Sequence, residues 1–177
     1  TGREMTASAF MAAVQSLAGG LVAHGLGRGA VVALMAPNLP EFAVIFHATA
    51  WAGLILTTLN PTYTAEEARH QLNDSGAVLL ITIPAFLATA TEAVAGTAVA
   101  DIAVIGAAPE EAMPLAALMG APLAAQVPVD LAHCGEDRQP EDEPPNAPAL
   151  DRHELPLWCE LPELSQEVPR VSLERDP

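Results

Sequence analysis

Hydrophobic positions between residues 6 and 132 switch repeatedly between two periods. Some stretches have the three- and four-residue spacing of a helix, and others are the short unbroken runs of a buried strand. Phe10, Val14, Leu17 and Leu21 recur at helical spacing and predict a helix over about 7–24, with Thr6 as its N-cap. "GLGRG" ends it, because glycine accepts the left-handed backbone that a helix stop needs. "AVVALMA" (30–36) is almost wholly apolar, as expected of a strand covered on both faces. After "PNLP" a second helix is predicted over about 40–52. Pro40 stands where a missing N–H costs little, and Glu41 faces the positive helix end. "GLILTTL" (53–59) reads as a second buried strand.

"LNPTYTAEEARHQLNDSG" (59–76) then punctuates the chain. Asn60-Pro61 terminates the strand, since proline cannot donate to a ladder. Thr64 and Glu67 have the spacing of a capping box. Ala68 and Leu72 predict an inner helix face, with Glu67, Arg69 and Asn73 outward, and Gly76 closes the helix. "AVLLITI" (77–83) is a third strand, a helix is expected from Pro84 to about 94, "DIAVIG" (101–106) is a fourth strand, and a weaker helix is expected over 109–118. Alternating strands and helices predict an α/β fold, with mostly parallel strands, covering helices and right-handed crossovers.

The pattern stops near residue 132. Residues 133–177 hold eight of the sixteen prolines and twelve acidic side chains against four arginines, a net of −8. An irregular, disordered acidic tail is expected there. The organisation read from the pattern is therefore a unit over 1–132 and a tail over 133–177.

Composition narrows the chemistry. The 177 residues include 22 acidic and 7 basic side chains, a formal net charge of −15, and all seven basic residues are arginine. Without lysine, Schiff-base chemistry and lysine-assisted phosphate binding are excluded. An acidic chain with no basic cluster is a poor nucleic-acid binder. Cys134 and Cys159 make no disulfide framework, which points to a reducing cytoplasm. The opening "TGREMTASAF" has no initiator methionine and no signal pattern, as expected of a chain that begins inside a longer protein or has been trimmed. The uncharged run 42–59 approaches the length of a membrane span. His47, Gly53, its threonines and the following Asn60-Pro61 fit a helix–strand composite better.

No constellation of side chains announces a reaction. "GLGRG" follows a helix and precedes a strand, the reverse of a dinucleotide-binding loop. His133, Cys134, His153 and Cys159 lack the paired spacing of structural zinc ligands. His47, within an apolar helix, is expected in the core. His70, beside Glu66 and Glu67, is expected in solvent, and the Tyr63 ring is expected to pack at the sheet edge. No residue is assigned as catalytic, cofactor-binding or metal-ligating.

The order of these motifs nevertheless resembles the beginning of an adenylate-forming enzyme. The stretch from "MTASAFMAAVQSLAGG" through "GLGRGAVVALMAPNLPEF", the "AG" before a strand and "LNPTYTAEEARHQLNDSGA" is similar to coumarate–CoA ligases and bacterial acyl-CoA synthetases over about 1–130. The resemblance implies a partial amino-terminal domain of that ligase fold. It also implies a family chemistry in which ATP and magnesium convert a carboxylic acid to an acyl-adenylate, which then forms a thioester with coenzyme A. The developing phosphate charge in such a reaction must be held by backbone, hydroxyls, metal and cations.

The family's Ser/Thr/Gly-rich phosphate loop, ending in lysine, is expected just after residue 132. The nearest stretch, "LPLWCELPELSQEV" (155–168), puts Glu160, Leu161, Pro162 and Glu163 where glycine and threonine belong, and Gln166 where the lysine belongs. Glutamates there repel a triphosphate. The divergence fits a frameshift, a truncation or a decayed gene. The expectation is a scaffold fragment of an acyl- or aryl-CoA ligase, inactive alone, binding no cofactor by itself and crossing no membrane. The alternative is a non-catalytic interaction fragment that self-associates through the open edge of an incomplete sheet.

Overall fold

A computed structural model of the protein describes residues 5–109 and 112–129, all within the unit Thr1–Asp130. The expected tail 133–177 and the set His133, Cys134, His153 and Cys159 lie outside the described residues, as does the stretch 155–168.

Five strands form one sheet in the order β2-β1-β3-β4-β5, and every pairing is parallel. They are β1 (Val31–Met35), β2 (Ile55–Thr58), β3 (Leu79–Thr82), β4 (Asp101–Val104) and β5 (Met113–Pro114). Four α-helices cover them: α1 (Ala7–Ala23), α2 (Pro40–Trp51), α3 (Ala65–Ser75) and α4 (Leu87–Ala93). The α/β class and the parallel sheet are as the periodicity predicts.

Alternation along the central strands divides the core into two layers. Val32, Leu34, Leu79, Ile81 and Ala103 pack against Val14, Leu17 and Leu21 of α1 and Val44, Ile45 and Ala48 of α2. Ala33, Met35 and Leu80 face the opposite way, onto Ala68 and Leu72 of α3 and Ala90 and Ala93 of α4. From β1 the chain runs to β2 through α2, then back across β1 to β3 through α3. Direction and face reverse together, so the crossovers keep one hand.

Local chemistry sets the helix ends. The Thr6 hydroxyl accepts from the Ala9 N–H at 3.2 Å and starts α1. At α3 the Thr64 hydroxyl accepts from the Glu67 N–H, and the Glu67 carboxylate accepts from the Thr64 N–H at 2.8 Å, a reciprocal capping box. Gly76 caps α3 in the left-handed region, with φ of 65°. The apolar run 42–59 divides into α2 and β2, and no helix among the described residues is long and apolar enough to cross a membrane.

Three expectations are corrected. The helix expected over 109–118 is instead the two-residue strand β5 followed by a 3-10 turn, Leu115–Leu118. Pro114 has no N–H to propagate a helix, and pairing of Met113 and Pro114 with Ala103 and Val104 fixes them extended. The second correction concerns β2, which is an edge strand rather than one buried on both faces; Ile55 is 53% exposed. Its apolar composition says nothing of its place in the strand order. The third is His47, which is exposed and not in the core. It meets the rings of Phe10 and Phe46 edge-on, each with centroids 5.4 Å away.

Beyond the turn, residues 119–127 form a strap across the α1–α2 layer. Gly120 and Leu123 donate backbone N–H groups to the Ser16 and Gln15 carbonyls, each at 3.0 Å. The Trp51 indole donates to the Leu123 carbonyl at 2.9 Å, and the Val127 N–H donates to the Trp51 carbonyl at 2.9 Å.

Candidate functional site

In a parallel sheet the carboxyl ends of the strands share one rim, and ligands gather where the strand order changes direction. Here the change lies between β1 and β3. The rim is built from Ala36–Leu39 after β1, Leu59–Tyr63 after β2, Ile83 and Pro84 after β3, and the segment from Ile105 after β4. Its floor is stitched by Thr82, whose buried hydroxyl donates to the Met35 carbonyl at 3.0 Å. Asn60 shapes the adjacent turn, its side-chain oxygen accepting from the Thr62 N–H at 3.0 Å and the Thr62 hydroxyl at 2.9 Å.

The electrostatics of this rim oppose a polyphosphate. The charged residues in first helical turns are Glu41 on α2 and Glu66 and Glu67 on α3. A helix amino end attracts anions through its exposed N–H groups, but at α3 the protein's own carboxylate occupies that place. Hydrogen bonds from the Thr64 N–H and, next, the Thr64 hydroxyl hold the Glu67 carboxyl below the ordinary glutamate range. Arg69, the one cation on α3, points away to α4, where a guanidinium N–H donates to the Glu92 carbonyl at 2.6 Å. At these two helix starts the fixed charge is negative, and no step of adenylation is derived through the described residues.

An open depression of about 750 Å³ lies beside α3, lined by Tyr63, Thr64, Glu66, Glu67, His70, Gln71 and Asp74. His70 is exposed among these carboxylates, and the half-buried Tyr63 packs against the α3–α4 core, as the sequence suggests for both. No three His, Cys, Asp or Glu side chains among the described residues are grouped to hold a metal ion. Sequence reasoning assigns no catalytic residue, and the described geometry adds none. What that reasoning misses is positional: Gln71 reaches back to β2, donating to the Thr57 hydroxyl at 3.0 Å and the Thr58 carbonyl at 3.1 Å.

Residues 1–152 match the model of a family described as AMP-binding enzyme. The chain belongs to that family. A long-chain-fatty-acid–CoA ligase of Salmonella typhimurium is 42% identical over 78 residues, 44% of this chain and 14% of the relative. A 4-coumarate–CoA ligase 5 of Oryza sativa subsp. japonica is 34% identical over 135 residues, 75% of this chain and 24% of the relative. The fold is also that of a benzoate CoA ligase from Burkholderia xenovorans, with a TM-score of 0.65 at 19% identity, covering 71% of this chain and 25% of that one. The chain thus spans a quarter or less of these relatives. It is a part of the AMP-binding ligase fold, built around a parallel sheet.

Proposed function

We propose that this chain is the amino-terminal scaffold segment of an ATP-dependent acyl- or aryl-CoA ligase and that alone it is inactive. In this reading residues 1–132 supply sheet and covering helices, and 133–177 are an acidic appendage. The complete ligase uses ATP and magnesium to adenylate a carboxylic acid, releases pyrophosphate, passes the acyl group to coenzyme A and works in the cytoplasm.

The observation that carries the reading is the charge around the sheet's carboxyl rim. Carboxylates stand in the first turns of α2 and α3, and the whole sequence has no lysine to balance a triphosphate. Adenylation needs cationic or metal-assisted stabilisation of the transferring phosphorus centre. Acids at helix amino ends supply the opposite potential.

ATP–pyrophosphate exchange by the purified 177-residue chain, across aromatic and fatty carboxylic acids, tests it. The expected outcome is exchange indistinguishable from a protein-free control. Exchange stimulated by any one acid overturns the reading.

The competing reading, an interaction fragment that pairs through a sheet edge, has the exposed Ile55 of β2 in its favour. Two features weigh against it. Gln71 already occupies the Thr58 carbonyl, and at the other edge Pro114 lacks an N–H to offer a partner strand.

A further inference from the structure

We infer that Gln71 is a latch on the open edge of the sheet: its side-chain amide keeps β2 from pairing with the β2 strand of a second copy. This role is independent of the ligase reading, because it concerns how the chain shields its own strand edge and not what chemistry it serves.

β2 ends the strand order, and among the described residues no strand pairs with its outer side. Its bonds to β1 fix which backbone groups look outward. The Ile55 N–H donates to the Ala30 carbonyl at 3.0 Å, and the Leu59 N–H donates to the Leu34 carbonyl at 2.9 Å. Alternate residues of a parallel strand turn both backbone groups to the same neighbour. Leu56 and Thr58 therefore turn theirs away from β1.

An outward row of this kind is a template for another strand, and proteins ordinarily blunt it with charge, proline, a bulge or shortness. Residues 53–59, "GLILTTL", hold no charge and no proline, and the register with β1 is regular. Ile55 adds an apolar side chain that is 53% exposed. Beyond its length of four residues, β2 has no protection of its own.

α3 supplies it. Ala68 and Leu72 form the buried face of this helix, and Gln71 stands half-buried at the flank of that stripe, where a long side chain reaches the sheet edge. A glutamine amide carries two N–H donors. The Gln71 amide donates to the Thr57 hydroxyl at 3.0 Å and to the Thr58 carbonyl at 3.1 Å. The second bond takes an acceptor that an incoming strand would use, and the first orients the amide upon it. Glutamate here would set a carboxylate against a carbonyl, and methionine would fill similar space with no donor. Two β2 edges meeting antiparallel about a twofold axis would have to give up these bonds in each copy.

Sedimentation equilibrium of the purified 177-residue chain measures the self-association constant of parent and variants. It is run at about 0.15 M salt, where repulsion between the acidic copies is screened beyond about 8 Å. Gln71→Met should associate at least about tenfold more tightly than the parent, the scale expected for freeing two modest hydrogen bonds. Ile55→Lys, which puts a charge on the exposed edge, should return Gln71→Met to the parent's constant. It should not restore any thermal stability lost with Gln71, a split that separates a shielded edge from a merely loosened fold. Thr57→Val keeps a β-branched residue in the strand and removes the orienting bond. It should tighten association by a smaller factor, and it carries the test if Gln71→Met does not fold.

One association constant shared by the parent and every folded variant overturns the inference. So does tighter association that Ile55→Lys leaves in place, since the copies then meet elsewhere. A parent chain already dimeric and dispersed by Ile55→Lys overturns it too, because the latch would not be holding.

Discussion

Gly20 is the point at which two distant parts of the chain touch backbone to backbone. A Cβ placed there would fall on the Leu118 carbonyl, and one at neighbouring Gly19 would fall on the Ala121 carbonyl. Neither obstacle is a flexible side chain that can swing aside. Gly20→Ala should therefore lose about 1–3 kcal/mol, the usual range for overpacking a close contact, measured by urea unfolding of the full chain. Gly27→Ala, where a Cβ meets nothing within 4 Å, should stay within about 0.5 kcal/mol of the parent. In the sequence Gly19-Gly20 reads only as a weak spot in a helix, because the carbonyls that need the space come about a hundred residues later. Thr64 and Glu67 are legible for the opposite reason: both partners of the capping box lie within four residues. His47 shows the limit of composition, since an apolar neighbourhood in sequence does not say which side of α2 is covered.

Among the elements, α3 is the one whose ends are set by its own sequence, and its acid response follows from that. Hydrogen bonds from Thr64 depress the native Glu67 value, so the unfolded chain takes up this proton first as pH falls. The capping contribution is complete above the unfolded glutamate range and is lost as pH falls through the lower native value. Glu67→Gln removes the titration. The stability gap between parent and variant, from urea melts at a series of pH values, should be constant near neutrality and close progressively in acid. A gap independent of pH down to full carboxylate protonation would refute the assignment. Thr64→Ala should cost about 1 kcal/mol at neutral pH. At the same scale lies the expectation that failed, the helix over 109–118. Its residues take their conformation from β4 and α1, and neither their period nor their propensity carries that information. The absence of lysine, in contrast, is read directly from composition, and it is the ground on which the sequence argues against an ammonium-assisted phosphate site.

The arrangement of the whole unit predicts an order of opening. β1 and β3 hold the middle of the sheet, each with a hydrogen-bonded strand on both sides and buried helices above and below. Their amides should exchange with solvent only through global unfolding, at the slowest rate in the molecule. The strap is different: its backbone is tied to α1 and α2 by the N–H groups of Gly120, Leu123 and Val127, and it buries few large side chains. Those three amides should exchange through a smaller opening in which the strap lifts while the sheet stays intact. Hydrogen exchange followed by NMR separates the two events. Gly20→Ala, which pushes the strap off α1, should accelerate Gly120 and Leu123 and leave Leu34 and Ile81 at the global rate, once the overall loss of stability is subtracted. If the strap amides and the β1 amides keep one common rate in both proteins, the strap unfolds only with the sheet and the two-step order is wrong. Val127, bonded to Trp51 beyond the glycine contact, is the discriminating residue between partial and complete lifting. Its acceleration together with Gly120 would mean that the strap detaches from both helices as one piece.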